Sequence, residues 1–570
     1  MTATLHGHCV CGQVAYRVEL DSAEDARTSL CHCTSCKRAF GTENGVTTKV
    51  PLQGFTYTQG KPKQHKQDSN GVIREFCGDC GAYLCEYGEA AAEKFRYVAW
   101  GTFDDQDRDR VPPKGEFFCS QRDGWMPEVP GVFHKQEIKH KLAAVTGWVE
   151  TYHEVFRGGQ FVFKLQEWHE KYGPVVRIGP SEVHISDPDC VDTILAGGPG
   201  AQYDKKKEWK RRFGDQHSGF STIDHRHHRL RRSALAPFFS KQKIAGIERY
   251  VAAKVHRLCD RLQGDYGGGG APVLLNKCFA SMAFDIVTYY AFARSFDYME
   301  HPTFDAELTN SLKTLVRSCH VMGQFPWILG LLESLPRRVA EALNPSLRVF
   351  NTFIDQIDTQ IKAIKSGDNQ AYKEVAHKTI FKELFDTNLP PEEKTVERLR
   401  DEGVSIVGAG VETTSNVLSK AVFWILNDAA IHRRLAAELD SVWPDPSSEE
   451  QTPALSTLEA LPYLGAVLDE ALGLSYPVTG RSDALEFRPE RWLRGDDKAL
   501  RKYLVAFSRG PRMCLGMNLA RAELFIGLAV VIRRLSMELF ETTEEAVAVG
   551  ADYFVPIPPA GAEWVKVLVK

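Results

Sequence analysis

The spacing of hydrophobic and polar positions divides the chain into two regions. Up to about residue 125 the apolar runs are short and alternate with polar positions, which predicts strands at residues 14–18, 55–59 and 95–100. From about residue 141 apolar residues recur at three-and-four spacing, which predicts helices at residues 160–172, 240–262, 392–427 and 430–442. We therefore predict two domains, mostly β over residues 1–125 and mainly helical over residues 141–570. Residues 126–140, rich in charge and without periodicity, are the predicted linker.

Composition and charge narrow the class of protein. Hydrophobic residues make up 43% of the chain and charged residues 25%, with a formal net charge of -4, as in an ordinary globular protein. The absence of a strong basic excess argues against a nucleic-acid partner. No window approaches the roughly 18 apolar residues of a membrane span. We expect a cytoplasmic protein with reduced thiols and no membrane span.

The cysteines are concentrated in the first region, where nine of the fourteen lie. Seven of these nine form three clusters, Cys9-x-Cys11, Cys31-x-Cys33-x-x-Cys36 and Cys77-x-x-Cys80. A structural zinc ion takes four such ligands, whereas a catalytic zinc ion keeps one position open. The spacing predicts zinc binding without assigning pairs. A redox pair or buried free thiols are the alternatives.

Three segments of this region, GHCVCGQVAY (7–16), CHCTSCKRAFG (31–41) and REFCGDCGAYL (74–84), resemble the glutathione-dependent formaldehyde-activating enzyme family, or CENP-V/GFA domain. The resemblance covers about residues 5–125. It implies a β-rich zinc fold with carbon–sulfur lyase chemistry, in which glutathione could bind at the open zinc position. By the family pattern, structural zinc is held by Cys9, Cys11, Cys77 and Cys80, and catalytic zinc by Cys31, Cys33 and Cys36.

A second cysteine motif stands near the end of the chain, in FSRGPRMCLG at residues 507–516. Cys514 lies between Gly510 and Gly516 and precedes an apolar-striped helix, whose dipole is expected to lower the thiol pKa. Arg512 puts a positive charge two residues away, suited to a haem propionate. The motif predicts a thiolate ligand of haem iron. An isolated cysteine of this kind is otherwise a buried thiol.

Two further segments bear on this prediction. Residues 404–426 predict a buried helix in which the small residues 408–410 leave space beside a haem, and Glu412 and Thr413 could relay protons. A close helix crossing is the alternative. His228 and Arg232 are four residues apart and share a helix face, where they could meet haem propionates or form a solvated stripe.

Taken in order, these motifs and the segments HEKYGPVVRIGP (169–180), EALGLSYP (470–477) and FRPERW (487–492) resemble the cytochrome P450 superfamily, its fungal microsomal members in particular. The resemblance implies a mainly-α fold with small β-sheets and a haem with Cys514 as axial ligand. It implies that Glu412 and Thr413 act in oxygen activation, and that Phe507, Arg512, His228 and Arg232 bind the cofactor. The implied reaction inserts one oxygen atom into a small organic substrate of secondary metabolism. Electrons would come from an NADPH-dependent reductase, with the protein peripheral to the endoplasmic reticulum.

The sequence departs from that family in three places. Gly473 replaces the arginine of a Glu-x-x-Arg pair begun by Glu470, although Glu470 can pair directly with Arg491. Only five residues separate Arg481 from Phe487, where the family has tens of residues that line the substrate pocket. The cysteine-rich domain stands where microsomal relatives have a membrane helix.

These departures keep other functions open. The chain can be a zinc-dependent carbon–sulfur lyase with an inert haem domain, or a non-catalytic zinc module. It can also be a fusion produced by an incorrect gene model. The basic run at residues 205–212 is expected to be a solvated surface loop, with docking of an acidic reductase as the alternative.

Overall fold

The chain forms two compact units in the computed structural model. Unit 1 comprises residues 1–150 and 163–186, and unit 2 comprises residues 151–162 and 187–570. The structure describes residues 3–67, 72–88, 94–135, 146–196, 202–210, 212–304, 306–375, 377–447, 449–475, 486–493, 500–562 and 564–570. Each unit is considered by itself.

Unit 1 is built on strands. They are β1 (Ala3–His8), β2 (Ala15–Leu20), β3 (Arg27–Cys31), β4 (Gly45–Pro51), β5 (Phe55–Gln59), β6 (Lys63–Lys66), β7 (Ile73–Phe76), β8 (Tyr83–Tyr87), β9 (Phe95–Ala99), β10 (Pro113–Phe117), β11 (Phe133–Lys135), β12 (Val175–Gly179) and β13 (Glu182–Ile185). The strands predicted at residues 14–18, 55–59 and 95–100 are β2, β5 and β9. The segment predicted as a linker contains β11.

The strands of unit 1 form three sheets. The first has the order β1-β2-β5, the second β11-β10-β3-β4-β9-β8-β7-β6, and β12 pairs with β13. In β1 and β2 buried and exposed positions alternate, as expected of a sheet with one face on a core. The core under them includes the fully buried side chains of Leu5, Val18, Leu84 and Val98.

Helices are the main elements of unit 2, and some also occur in unit 1. They are α1 (Thr34–Phe40) and α2 (Asp105–Arg108) in unit 1, followed by α3 (Trp148–Thr151), α4 (Phe161–Tyr172), α5 (His225–Leu235), α6 (Lys241–Ala245), α7 (Glu248–Tyr266), α8 (Leu275–Phe292), α9 (Ala306–Gln324), α10 (Pro326–Ser334), α11 (Arg337–Leu343), α12 (Pro345–Ser366), α13 (Ile380–Asp386), α14 (Val396–Asn427), α15 (Ala429–Val442), α16 (Leu455–Glu459), α17 (Pro462–Ser475) and α18 (Met517–Arg534). Among the helices described, none is long and apolar enough to cross a membrane.

Unit 2 also has small sheets, as the fold class predicts. Strands β14 (Val273–Leu274), β15 (Met537–Leu539) and β18 (Lys566–Val569) pair in the order β14-β18-β15. Strands β16 (Ala551–Asp552) and β17 (Pro556–Ile557) form a second pair. The helix predicted at residues 240–262 is two helices, α6 and α7, which are separated at Gly246 and Ile247.

The long helix α14 runs through the core of unit 2 and packs extensively on α8. It packs tightly on α12 at Gly403, where an added Cβ would lie 2.8 Å from Ile357 Cγ2. At Gly410 an added Cβ would be 3.8 Å from Val287, an ordinary contact, and at Gly408 it would meet nothing within 4 Å. The close crossing therefore depends on Gly403 and does not explain the small residues at 408–410.

Glu470 on α17 is the buried carboxylate left without the family's second arginine. It is 3% exposed and accepts hydrogen bonds from Arg491 Nε at 3.0 Å, Arg488 N at 2.9 Å and Trp492 Nε1 at 2.6 Å. Burial raises its pKa, which these three donors oppose. The expected direct pair with Arg491 is confirmed. Residues 476–485, which include Arg481, lie outside the described residues.

We predict that Arg491→Ala lowers the stability of unit 2 by about 3–5 kcal/mol, because it leaves the Glu470 carboxylate buried without its cation. Gly473→Arg should change stability by only about 1 kcal/mol or less, because Glu470 already has its donors and a Cβ at Gly473 meets only ordinary contacts. Thermal unfolding followed by the helical circular dichroism signal measures both.

Arg434→Ala is the matched control, since Arg434 pairs at the surface with Glu490 at 3.1 Å and such pairs contribute at most about 1 kcal/mol. A large gain in melting temperature for Gly473→Arg would show that the direct pair does not replace the missing arginine.

Candidate metal and cofactor sites

Cys9, Cys11, Cys77 and Cys80 bring their sulfur atoms together in unit 1, all within 4.8 Å of one another. The Sγ atoms of Cys9 and Cys11 are 3.5 Å apart, and those of Cys11 and Cys77 are 3.7 Å apart. A tetrahedral zinc ion with bonds of about 2.3 Å requires sulfur atoms about 3.8 Å apart. The four-cysteine cluster therefore has the composition and spacing of a structural zinc site.

Two tight turns position these thiols. Gly12 N donates to Cys9 O and Gly81 N donates to Cys77 O, both at 3.0 Å. Gly12 and Gly81 both have a φ of 73°, which favours glycine. The two turns bring the sulfur atoms of their cysteines close to one another. Val14 N also donates to Cys9 Sγ at 3.2 Å.

Cys31, Cys33 and Cys36 form a second cluster, also within 4.8 Å, in which all three residues are half-buried. Cys31 ends β3, Cys33 caps α1 and Cys36 lies in the first turn of that helix, where its N–H donates to Cys33 Sγ at 3.4 Å. A hydrogen bond from Cys36 lowers the pKa of Cys31 to about 6. Three accessible sulfur ligands fit a zinc ion with one open position.

A third group, Glu116, Cys119 and His134, was not singled out in the sequence because its members are far apart and follow no metal spacing. The buried Glu116 carboxylate accepts from His134 at 2.6 Å and from His32 at 2.7 Å, and Arg122 lies 3.1 Å away. Burial opposes ionisation, but these donors hold the pKa of Glu116 below its usual range. The arginine already supplies the cation, so this group is a structural network.

In unit 2 the segment 507–516 forms the predicted loop before α18. Cys514 N donates to Phe507 O at 2.8 Å, which closes the loop, and Phe507 packs partly buried against the core. Gly510 has a φ of 69°, and an added Cβ would lie 2.3 Å from Leu195 O. A Cβ at Gly516 would meet nothing within 4 Å. Gly510 thus allows the backbone at Leu195 to approach closely, whereas open space lies beside Gly516.

The Cys514 thiol is accessible yet set among protein atoms. Burial raises its pKa, which the N–H of Gly516 and the charge of Arg232 only partly oppose. The sequence-based expectation of a lowered pKa is wrong for this structure, because desolvation exceeds the effect of the helix N-terminus.

Cationic groups gather around this loop. Arg512 donates to Thr222 O at 2.8 Å and Ile223 O at 2.7 Å, while its buried Nε has no partner among the described residues. Burial, together with Arg512, Arg232 and Lys205, lowers the pKa of His228 to about 4. Burial also lowers the pKa values of Arg232 and Arg512. Because Arg512, Arg232 and Lys205 all act on His228, these four side chains lie close together. Asp204 and Asp224 act on Arg512, and Asp215 acts on Lys205, so part of the positive charge is balanced within the chain.

Lys205 is a member of this cation cluster that sequence reasoning missed. It lies in the basic run expected to be a solvated loop, and Lys206 and Lys207 are indeed exposed. Its Nζ instead turns inward and donates to Phe220 O at 2.5 Å, and burial lowers its pKa to about 8. Lys205 differs from the neighbouring lysines only in that its side chain turns inward. No sequence pattern indicates that difference.

Together these residues fit a haem. A thiol is accessible beside a glycine with open space. Near it lie the guanidinium groups of Arg512 and Arg232, the Lys205 ammonium group and the His228 imidazole, all of which can donate to the two carboxylates of a haem. Cys514 would hold the iron, and Arg512, Arg232, His228 and Lys205 would hold the propionates.

Glu412 and Thr413 lie in the middle of α14. Thr413 is half-buried and its Oγ1 donates to Ala409 O at 2.8 Å, and Ala409 is itself exposed on this otherwise buried helix. Glu412 is 8% exposed, and burial raises its pKa, which the nearby charge of Lys313 opposes. A carboxyl group whose pKa is raised by burial and a hydroxyl group therefore belong to adjacent residues of α14.

Comparison with known proteins decides the family. The sequence profile of cytochrome P450 matches residues 146–481 and 482–560. The chain belongs to the cytochrome P450 family. Its relatives include the cytochrome P450 monooxygenase orf6 of Eupenicillium brefeldianum, 37% identical over 476 residues, covering 75% of this chain and 93% of the relative.

Two other fungal relatives of this P450 are named by reaction. The tryptophan 6-hydroxylase fscE of Fusarium equiseti is 34% identical and covers 75% of this chain and 91% of its own length. The N-acetyltryptophan 6-hydroxylase ivoC of Emericella nidulans is 34% identical, with 74% and 89% covered. The P450 domain is therefore that of a haem monooxygenase of the fungal secondary-metabolite type.

The profile of the glutathione-dependent formaldehyde-activating enzyme matches residues 4–121, so the P450 carries an appended domain of that zinc-binding family. The P450 match breaks between residues 481 and 482, within the short segment between Arg481 and the FRPERW motif. The break agrees with a block of the family sequence being missing there.

We predict that the full-length chain binds two zinc ions through its two cysteine clusters. Cys77→Ser and Cys33→Ser should each remove one ion, because each deletes a ligand from a different cluster. Cys85→Ser is the control. Cys85 is as buried as Cys77 but belongs to neither cluster, and its Sγ donates to Glu75 Oε2 at 2.8 Å. Elemental analysis of the purified proteins measures zinc content. Loss of both ions in Cys33→Ser would contradict independent sites.

Proposed function

We propose that Cys514 is the axial thiolate of this P450 monooxygenase and that the surrounding cations hold the haem propionates. The observation that carries this assignment is the accessible Cys514 thiol in its closed loop, with Arg232 near enough to act on it and with Arg512 and His228 close to Arg232. A thiolate-bound haem supplies the chemistry of O–O cleavage. The domain uses it to insert one oxygen atom into an organic substrate.

Glu412 and Thr413 of α14 would take part in proton transfer during that reaction. The Glu412 carboxyl retains a proton more readily than a solvated glutamate because it is buried. Thr413 presents a hydroxyl beside the exposed Ala409. Phe507 and Gly510 keep the cysteine loop in shape, Phe507 through the carbonyl that accepts from Cys514 N.

A separate reductase supplies electrons, as in P450 enzymes generally, and NADPH is its proposed source. We also propose that the chain works at the periphery of the endoplasmic reticulum, where such reductases reside. The named hydroxylases among the relatives act on tryptophan and N-acetyltryptophan. Aromatic compounds are therefore the first substrates to screen.

A second activity is supported by the three-cysteine cluster. Its half-buried thiols provide three ligands and leave the fourth position of a zinc ion accessible. Glutathione could bind there as a thiolate, which zinc stabilises against protonation. The domain would then form or cleave the carbon–sulfur bond of a formaldehyde adduct.

The decisive test of the first proposal is the carbon monoxide difference spectrum of the reduced full-length protein. We expect the long-wavelength Soret band of a thiolate-bound haem, and its loss in Cys514→Ala without a change in zinc content. Cys278→Ala, which alters a buried thiol of α8, should keep the band. Absence of the band in haem-replete protein would leave the zinc domain as the working part.

For the second activity, we expect the protein to accelerate glutathione-dependent consumption of formaldehyde. Cys33→Ser should reduce the rate at least about tenfold, because it removes a ligand of the open zinc ion. The Cys514→Ala protein serves as the control and should retain the full rate. A rate equal to that of free glutathione would assign unit 1 a binding role.

A further inference from the structure

A partly open pocket lies beside Glu412 in unit 2. Helix α9 contributes Lys313, Val316 and Arg317, α14 contributes Glu412, and the rest of the wall comes from the segment between Val555 and Trp564. The pocket thus forms although the block before FRPERW is missing, and it includes one of the two residues assigned to proton transfer.

Two cations on one face of α9 line this pocket. Lys313 and Arg317 are one helical turn apart, so both side chains reach the same opening. Within the part of the chain that the structure describes, no carboxylate lies within 4.0 Å of either group. Lys313 is half-buried and Arg317 is exposed. The buried Arg231, by contrast, pairs with Glu393 at 2.7 Å.

The position of Lys313 makes this lack of a partner significant. Its Nζ lies 4.5 Å from the centre of the Trp564 ring, which holds the ammonium at the pocket wall. Burial and the charge of Arg317 lower its pKa, with Glu412 opposing. A bound anion would remove that penalty, because it would offset the lost hydration of the ammonium group.

The remaining lining is apolar. Val316, Val555, Ile557, Pro558 and Trp564 surround the cationic edge with hydrocarbon and an indole ring. Such a wall favours a flat or branched hydrocarbon body, and the two cations fix its orientation through one anionic end.

We propose that this pocket binds an organic acid, its carboxylate held by Lys313 and Arg317 and its apolar body against Trp564 and the segment 555–558. The proposal rests on the monooxygenase function and names the class of its substrate. The arginine can take the carboxylate through two parallel N–H donors, and the lysine adds a point charge.

Glu412 is the one acidic group that lines the pocket among the described residues. Burial raises its pKa, and even in its ionised form it supplies one negative charge against the two positive charges of Lys313 and Arg317. The net charge presented by the two cations and Glu412 therefore remains positive.

The test compares three aromatic acids, benzoate, 3-phenylpropionate and indole-3-propionate, each with its neutral primary amide. Binding to the full-length protein is measured by isothermal titration calorimetry, which needs no haem signal. At least one acid should bind about tenfold more tightly than its amide. Lys313→Met and Arg317→Met should each reduce this preference, and the double variant should abolish it.

Lys365→Met, which removes an exposed lysine at the end of α12, should leave the preference unchanged. Equal binding of acid and amide, no binding of any acid, or a preference that survives the double variant would overturn the proposal. The carbon monoxide spectrum of the same preparation reports on the monooxygenase separately. A haem band without acid preference refutes only the substrate class, and acid preference without a haem band refutes only the monooxygenase.

Discussion

Burial of one carboxylate organises the end of unit 2 that holds the cysteine loop. Glu470 joins α17 to the short segment 488–492 through three donors, one of which is the Arg491 guanidinium. An uncompensated buried carboxylate is among the most destabilising features that a core can contain. The segment 488–492 is therefore held against α17, and the chain leads from it to the loop of Cys514. The arginine absent at Gly473 is replaced by donors that the segment itself provides.

Around the loop of Cys514 the buried charge is positive instead of negative. Arg232, Arg512 and Lys205 bring positive charge into a desolvated region beside His228, and burial lowers the pKa of all four groups. Asp204, Asp215 and Asp224 balance part of that charge. A dianionic cofactor beside them would compensate the whole group at once. The same principle applies on a smaller scale at Lys313 and Arg317, where the carboxylate of a substrate would be the compensating anion. Clusters of basic side chains in partly desolvated surroundings thus mark both proposed binding sites.

In unit 1, clustered cysteine side chains bring distant segments of the chain together. Two glycine turns aim the four-cysteine cluster, and it links residues about seventy positions apart in the sequence. The three-cysteine cluster is local, built at the junction of β3 and α1, and it keeps its sulfur atoms accessible. A four-ligand site and a three-ligand site fit the division between a structural and a catalytic ion.

The sequence by itself determined the two domain types, the strands and helices with strong periodicity and the residues of the metal motifs, because these depend on local spacing. It predicted the direct pair of Glu470 with Arg491, since both belong to recognisable motifs. Tertiary structure alone decided that burial raises the pKa of Cys514, that Lys205 turns inward and that the break at Gly246 and Ile247 separates α6 from α7. It alone placed Lys313 and Arg317 beside Glu412. Desolvation and the meeting of distant side chains depend on the folded arrangement, which no local pattern encodes.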